Sequence, residues 1–167
     1  SRLRGNDDWV EDSIMTDPIL LDVRDGVATL SFNRPEALNT LDVAAMQAFR
    51  GAVERIAGDA SIEVVVVTGA GEHFMAGGDI REFGAIVSAH EPLQRLREFQ
   101  AMIEQWINPA VVMLQNLHQP VIARVRGACA GIGLSFVSGC DLVVAADDSV
   151  FSTAYASIGL SPDGGAS

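Results

Sequence analysis

The sequence PVIARVRGACAGIGLSF, residues 120–136, decides how the rest of the chain folds. Residues 121–125 form a short apolar run that predicts a strand, and small residues follow it up to Gly133. The apolar residues after Gly133 predict a buried helix. A helix that starts directly after a strand leaves backbone N–H groups without partners, and its dipole favours negative charge. The stretch therefore predicts either an anion or oxyanion site or a tight turn that needs small residues for packing.

A second apolar run has the same form and lies earlier in the chain. Residues 62–67 are mostly β-branched, which predicts a buried parallel strand, and they lead into the small residues 68–71. Residues 142–146 predict another buried strand. Because sites form at the carboxyl ends of parallel strands, two N–H-rich loops lying side by side there would hold one carbonyl oxygen.

The remaining pattern completes an α/β order. Residues 19–23 and 27–32 predict a hairpin around Asp25-Gly26, and Asp42 predicts the cap of a helix that runs to about residue 57. Residues 92–107 predict an amphipathic helix that Asn108-Pro109 interrupts. Residues 1–18 predict an acidic, mobile arm, and residues 19–167 predict one core domain.

The composition excludes several classes of function. The chain of 167 residues carries a net charge of −11, which argues against a nucleic-acid-binding protein. All 11 basic residues are arginines, so no lysine can form a Schiff base or serve a phosphate-binding loop. Cys129 and Cys140 lie among small apolar residues and predict inert thiols in a reducing compartment. The three histidines show no metal-ligand spacing, so no metal site is predicted.

No secretory leader or membrane span is predicted from the sequence. The first 20 residues contain five acidic side chains and no long apolar run, and no stretch reaches the length that a membrane helix needs. A cytoplasmic protein is therefore expected.

Five motifs in this order carry a resemblance to a known family. They are NRPEALN (33–39), VVVVTGAGEHFMAGGDI (64–80), PVIARVRGACAGIG (120–133), DLVVAADDSVFS (141–152) and IGLSPDGG (158–165). Together they make the chain resemble the enoyl-CoA hydratase/isomerase, or crotonase, family over residues 19–165. The resemblance implies a spiral of ββα units, acyl-CoA thioester substrates with no cofactor beyond the CoA of the substrate, a place in fatty acid metabolism, and homotrimers or hexamers. Relatives continue past residue 165 into a helical C-terminal region, so we expect this sequence to be truncated.

The resemblance also implies roles for individual residues. The two N–H groups of the oxyanion hole fall on Ala76 and Ile132, where most relatives carry glycine at the second position. The positions that line the path of the CoA and acyl groups are Ala37, Leu38, Asn39, Ala76, Gly77, Gly78, Asp79, Ile80, Gly131 and Tyr155. Arg34 and Arg81 are candidates for phosphate contact, with an ordinary surface role as the alternative.

The acidic residues indicate which reaction the site performs. The two positions at which hydratases of the family carry glutamates are Ser135 and Tyr155 here, so two-glutamate hydration is not expected. Asp163 remains, on a loop where isomerases of the family carry an acid. Two N–H donors would stabilise a dienolate while the one carboxylate moves the proton. The alternative role for Asp163 is a helix cap after Pro162.

Several other functions stay open. Asp163 could act as a nucleophile near Tyr155, as in dehalogenase-like members. Hydration by another acid, hydrolysis or decarboxylation would use the same enolate. The protein could also be a catalytically silent acyl-CoA-binding subunit, because both hydratase glutamates are missing.

Overall fold

The computed structural model describes residues 17–162 and 164–165. Strands and helices are interspersed along these residues, which confirms the predicted α/β class. The elements are β1 (Ile19–Arg24), β2 (Val27–Phe32), α1 (Val43–Gly58), β3 (Val64–Gly69), α2 (Ile80–Ala89), α3 (Pro92–Met102), α4 (Asn108–Gln115), β4 (Val121–Val125), β5 (Ala128–Ala130), α5 (Ile132–Ser138), β6 (Leu142–Ala145) and β7 (Val150–Ser152). A π turn (Ile103–Ile107) joins α3 to α4, and 3₁₀ turns cover Pro35–Ala37 and Tyr155–Ile158.

The predicted hairpin is confirmed. Asp25 and Gly26 both have positive φ, 49° and 78°, as a two-residue turn between right-twisted strands requires. Most of the predicted arm, residues 1–16, lies outside the described residues. Its last two residues are bonded to the start of the next loop, because the backbone N–H of Asn33 donates to Pro18 O at 2.8 Å and the Asn33 side chain donates to Asp17 O.

The main sheet has the order β1-β2-β3-β4-β6, and all of its pairs except β1–β2 are parallel. Val65 of β3 pairs with Val121 of β4, so the predicted adjacency of these two strands is confirmed. Since both strands run in the same direction, their following loops leave from the same edge of the sheet.

One aromatic cluster ties the sheet to the helices that frame the site. The rings of Phe32 on β2 and Phe49 on α1 stack 5.4 Å apart, and Phe136 on α5 lies 4.9 Å from Phe49. All three side chains are buried. Each such ring contributes a few kcal/mol of apolar burial, so the cluster fixes the position of the short helix α5.

Two expectations about strands were wrong. Residues 128–130 form β5, which the sequence did not predict; this strand pairs in parallel with β7 and forms a bridge to Met75. Strand β6 was predicted to be buried, but all four of its residues are exposed, with Leu142 and Val144 each 61% accessible. It is the last strand of the sheet, and the described part of the chain covers neither of its faces.

Asn108-Pro109 was expected to interrupt the long helix, and the regular α-helix does end before this pair: α3 stops at Met102, a π turn follows, and α4 begins at Asn108. Proline lacks an N–H group and its ring crowds the carbonyl four residues earlier. The wider π turn accommodates both effects: Asn108 N–H donates to Ile103 O, and helical geometry continues through Pro109. The predicted apolar stripe is buried at Met102 and Ile107, whereas Leu93 and Leu96 at its start are exposed.

Among the described helices, we find none with the length and apolar character that crossing a lipid bilayer demands.

Candidate active site

The two small-residue loops predicted to meet do lie against each other. Strand β5 aligns them: Met75 N–H donates to Ala128 O at 3.0 Å, and Ala130 N–H donates to Met75 O at 2.8 Å. Further along the two loops, the backbones of Gly77 and Gly131 approach so closely that a Cβ on Gly131 would lie 3.4 Å from Gly77 Cα. Gly131 has φ 54° and ψ −126°, a conformation that side chains disfavour.

A cavity of about 880 Å³ opens over this junction. Seven of the predicted site residues line it: Ala76, Gly77, Gly78, Ile80, Gly131, Ile132 and Tyr155. Most of the apolar lining comes from α1, α2 and the helix spanning α3, the π turn and α4. A pocket of this size with an apolar wall suits a small-molecule acyl group.

The two predicted oxyanion donors differ in their hydrogen bonding. Ile132 begins α5, and its N–H group makes no hydrogen bond with the described residues. Ala76 N–H donates to the Leu38 carbonyl oxygen at 3.0 Å. An oxyanion held between them would therefore have to share the Ala76 N–H with Leu38 or displace that carbonyl.

The predicted CoA-path residues 37–39 form a turn beside the cavity and are absent from its lining. Ala37 ends a 3₁₀ turn and Leu38 is exposed. The Asn39 side chain is buried, and both ends of its amide are hydrogen-bonded within the protein. The amide oxygen accepts from Arg34 N–H, and the amide nitrogen donates to Ala70 O and His73 O. Any contact of Asn39 with CoA would therefore be made by its backbone.

Asp79 and Arg34 form an internal ion pair. The Arg34 guanidinium lies 3.0 Å from Asp79 and 3.1 Å from Asp42, and it also donates to Thr40 O. Asp79 caps α2 by accepting from Arg81 N–H. Burial alone would raise the pKa of Asp79, but the hydrogen bonds from Arg34 and Arg81 outweigh it and lower that pKa.

These contacts separate the two arginines proposed for phosphate contact. The guanidinium of Arg34 already has three partners within the protein, so it is poorly placed to bind a phosphate. The Arg81 side chain is 77% exposed and makes only long contacts, 3.4 Å, with Asp79. Arg81 is therefore the better candidate of the two.

Asp163 lies outside the described residues, but its neighbours on both sides line the cavity. They are Pro162 and Gly164. Gly164 lies against α5, where an added Cβ would sit 2.6 Å from Ile132 Cδ1 and 2.9 Å from Ser135 Cβ. Gly164 thus lies next to both the predicted oxyanion donor and the buried serine at the first hydratase position.

The sequence did not identify one polar wall of the cavity. Gln100, Glu104 and Asn108, each four residues apart, line it from the long helix, and the Gln100 amide donates to Glu104 at 2.8 Å. Their spacing was visible in the sequence, but polar residues beside an apolar helical stripe normally indicate a solvent-facing surface.

The two thiols are poor nucleophiles, as predicted. Burial raises the pKa of Cys129 to about 12, and burial together with Asp141 raises that of Cys140 to about 11. Within the described ranges, no cluster of three acidic, histidine or cysteine side chains is arranged to hold a metal ion.

Comparison with known proteins identifies the family. The family model for enoyl-CoA hydratase/isomerase matches residues 22–167. A 1,2-epoxyphenylacetyl-CoA isomerase of Escherichia coli is 34% identical over 90% of this chain and 56% of its own length. A trans-2-decenoyl-[acyl-carrier-protein] isomerase of Streptococcus mutans is 30% identical over 88% of this chain and 54% of its own.

The solved structures agree with this assignment. An enoyl-CoA hydratase from Polaromonas superposes with a TM-score of 0.78 and 35% identity, over 88% of this chain and 55% of that one. The chain thus spans about half the length of the relatives it matches. The motifs, the fold and these matches together show that the chain belongs to the enoyl-CoA hydratase/isomerase, or crotonase, family, whose fold it shares.

Proposed function

We propose that the protein isomerises the double bond of an enoyl-CoA thioester, with Asp163 as the single acid and base. The backbone N–H groups of Ile132 and Ala76 polarise the thioester carbonyl. Polarisation acidifies the proton on C2 of a 3-enoyl thioester, and the Asp163 carboxylate removes it. The resulting dienolate takes the same proton back at C4, which leaves a 2-enoyl thioester and restores the carboxylate.

The observation that supports the proposal is the position of Pro162 and Gly164, the sequence neighbours of Asp163. Pro162 and Gly164 line the same cavity as the two N–H donors, and Gly164 packs on Ile132 and Ser135. The positions of the hydratase acids hold a buried serine and a buried tyrosine. One proton carrier suffices for isomerisation, whereas two-glutamate hydration also needs groups that place a water molecule.

The names of the relatives support both reactions. Two of the matched proteins are named as isomerases, and six others are named as probable enoyl-CoA hydratases. The preference for isomerisation therefore depends on the residues of this chain. Absence of a further cofactor, a homotrimeric or hexameric assembly and a cytoplasmic location belong to the same proposal.

The proposal is tested with Asp163→Asn in the full-length protein. We expect the rate of 3-enoyl-CoA isomerisation to fall by 10²–10⁴-fold, the usual contribution of a positioned acid or base. Asp148→Asn is the matched control, since Asp148 is an exposed acid outside the cavity lining. Exchange of the C2 proton with deuterated solvent, followed by NMR, should fall in parallel. An unchanged rate in Asp163→Asn would show that another group moves the proton.

The alternative is a catalytically silent acyl-CoA-binding subunit, favoured by the Ala76–Leu38 hydrogen bond, which occupies one oxyanion donor. The same exchange experiment on the unmutated protein separates the two functions. Binding of acyl-CoA without any exchange of the C2 proton would establish the silent subunit.

A further inference from the structure

One backbone donor beside the oxyanion loops is bound by a side chain instead of by the backbone. Strand β5 and Met75 form a short parallel ladder, in which Ala130 N–H donates to Met75 O at 2.8 Å and Met75 N–H donates to Ala128 O at 3.0 Å. A regular parallel ladder would continue from Ala128 N–H to the backbone oxygen of His73. That oxygen accepts from the Asn39 amide at 2.8 Å, and Ala128 N–H donates to the imidazole Nδ1 of His73 at 3.1 Å. The His73 ring thus replaces its own carbonyl group in the ladder.

The backbone opposite the ring leaves room for this bond at Gly127. Gly127 has a φ of +54°, and a Cβ on it would overlap the His73 Nδ1 atom and the carbonyl oxygen of Glu72. A side chain at this position would therefore push the ring away from Ala128 N–H. The Gly127 carbonyl oxygen accepts from Val150 N–H at 2.9 Å, so the segment that meets the ring is also bonded to β7.

The ladder that His73 completes ends at the two proposed oxyanion donors. Ala76 follows Met75, and Ile132 lies two residues after Ala130. The ladder joins the two loops, so it sets how far apart their N–H groups lie. Because a displacement of about 1 Å near the reacting atoms can lower the rate about 10²-fold, loss of the bond to His73 would reach the reaction through the backbone. His73 itself is absent from the cavity lining.

The bond depends on the protonation state of the ring. Neutral imidazole accepts at Nδ1 when its proton is on Nε2, whereas imidazolium donates at both nitrogens and would face the Ala128 N–H with a second donor. Histidine ordinarily changes charge between pH 5 and 8. The His73 ring is partly exposed, so it exchanges protons with solvent, and it forms no ion pair with any described residue.

The described charged side chains around this contact are exposed. Glu72 and Arg126 come from the two segments that meet there, and the Arg126 Nε donates to Gly71 O at 3.2 Å. Asp147 and Asp148 lie in the turn that leads to β7. Salt screens exposed charges of this kind, so the bond to the N–H group of β5 is the specific interaction of the ring that a proton removes.

We infer that His73 is a positioning residue of the oxyanion hole: its neutral ring aligns the loops of Ala76 and Ile132, and uptake of a proton by the ring lowers turnover. This rests on the proposed function in that those two N–H groups polarise the thioester carbonyl. His73 transfers no proton to or from the substrate. Acid therefore acts on the donors through this ring as well as on the Asp163 carboxylate.

The test compares His73→Asn and His73→Leu with the parent in the full-length protein. The Asn side chain keeps an acceptor oxygen close to the position of Nδ1 and takes up no proton, whereas Leu removes the acceptor. At pH 8 we expect kcat for 3-enoyl-CoA isomerisation to fall less than about threefold in His73→Asn and about 10²-fold in His73→Leu, with smaller changes in KM. As pH falls from about 8 to about 5.5, kcat of the parent should decrease several-fold relative to that of His73→Asn.

Hydrogen exchange measures the same bond without catalysis. In the parent, the Ala128 amide should lose protection relative to His73→Asn over the same pH interval, as followed by mass spectrometry of peptides that cover β5. Comparison of the two proteins at each pH cancels the intrinsic pH dependence of exchange. His118→Asn is the matched control, because His118 is exposed and absent from the cavity lining. It should match the parent in both measurements.

Three results would overturn the inference: parallel pH profiles of kcat in the parent and His73→Asn, full activity in His73→Leu, or protection of Ala128 that does not respond to pH. If His73→Leu fails to fold, the comparison with His73→Asn decides. Failure of the proposed reaction gives a different result. A protein that isomerises no thioester, but whose Ala128 protection falls in acid only when His73 is present, contradicts the reaction and supports the alignment by His73.

Discussion

Gly164, which follows the proposed catalytic residue in the sequence, packs closely against α5. Its φ is +58°, and a Cβ on it would meet Ile132 and Ser135 at distances below 3.0 Å. Gly164→Ala should therefore displace the segment that carries Asp163. Because a displacement of about 1 Å can cost 10²-fold in rate, we expect kcat for isomerisation to fall by about that factor. Steady-state kinetics of the full-length protein measures this.

Gly165→Ala is the control for backbone strain. Gly165 also has positive φ, +86°, but nothing lies within 4 Å of an added Cβ. Both substitutions cost about 1–2 kcal/mol of left-handed strain, so only the contact with α5 distinguishes them. Equal activity losses in the two variants would contradict the role given to that contact.

Asn39 holds two loops together. Its side chain is 1% exposed and bonds to Arg34 N, Ala70 O and His73 O. Asn39→Ala leaves these backbone groups without their partner, so the free energy of unfolding should fall by about 2–4 kcal/mol. Urea denaturation measures this. Asn116→Ala, at an exposed residue with one bond to Val112 O, should change it by less than about 0.5 kcal/mol. A weaker affinity for CoA at unchanged stability would instead favour a direct role in binding.

Some features of individual residues could be predicted from the sequence alone. The close approach of Gly77 and Gly131 was predictable. Both residues lack a side chain, and both lie on loops that follow parallel strands. The hydrogen bonds and ion pairs of Asn39 and Arg34 could not be predicted in the same way. Their distant partners Ala70, His73 and Asp79 lie 31–45 residues away and are brought near only by the finished fold.

A small network of charged residues joins helices α1 and α2. Two of its carboxylates, Glu82 and Asp79, affect stability in opposite directions as pH changes. Burial raises the pKa of Glu82, and Asp42 and Asp79 raise it further, although its carboxylate accepts from Val43 N–H at the start of α1. Ionised Glu82 therefore destabilises the fold at neutral pH. Asp79 has a lowered pKa and stabilises it.

Two substitutions test this network through unfolding at several pH values. Glu82→Gln should raise the free energy of unfolding at pH 7. That gain should shrink as pH falls through the raised pKa of Glu82 and vanish below about 4.3, where glutamate is protonated in both states. Glu54→Gln, which removes an exposed carboxylate paired with Arg50, should change stability by less than about 1 kcal/mol. A Glu82→Gln variant less stable than the parent at pH 7 would contradict the network.

Asp79→Asn should give the opposite result. A lowered folded pKa contributes stability above the ordinary pKa of aspartate, about 3.9, and that contribution is lost as pH falls through the folded value. The variant should therefore be less stable than the parent at pH 7, and the two should converge in acid. Thermal unfolding between pH 7 and 3 measures the convergence; a constant difference across this range would assign the loss to capping of α2 alone.

Among the helices and strands, the sequence predicted those that are specified by a local sequence pattern. The Asp25-Gly26 hairpin and the capped helix α1 are examples. Strand β5 contains only three small residues and exists because Met75 and β7 offer partners on both sides, which no local pattern shows. Strand β6 has the apolar run of a buried strand, yet burial depends on a covering layer rather than on the run itself.

In the molecule as a whole, the apolar strand β6 forms one edge of the main sheet. Leu142, Val144 and Val150 are all more than half exposed, and β6 has a hydrogen-bonded neighbour among the described strands on one side only. Exposed apolar edge strands pair with other chains. The chain of 167 residues on its own should therefore self-associate in a concentration-dependent way between about 1 and 100 µM, as sedimentation velocity would show.

A charge on β6 should suppress this association. Val144 lies opposite Arg124 in the register of the sheet, so Val144→Glu adds a favourable cross-strand pair while making the edge polar. We expect the association to require about tenfold higher concentration. Val112→Glu adds the same charge at an exposed position on α4 and should leave the association unchanged. Equal effects of the two substitutions would assign the association to net charge, and a parent chain that stays monomeric at 100 µM would show that the edge does not pair.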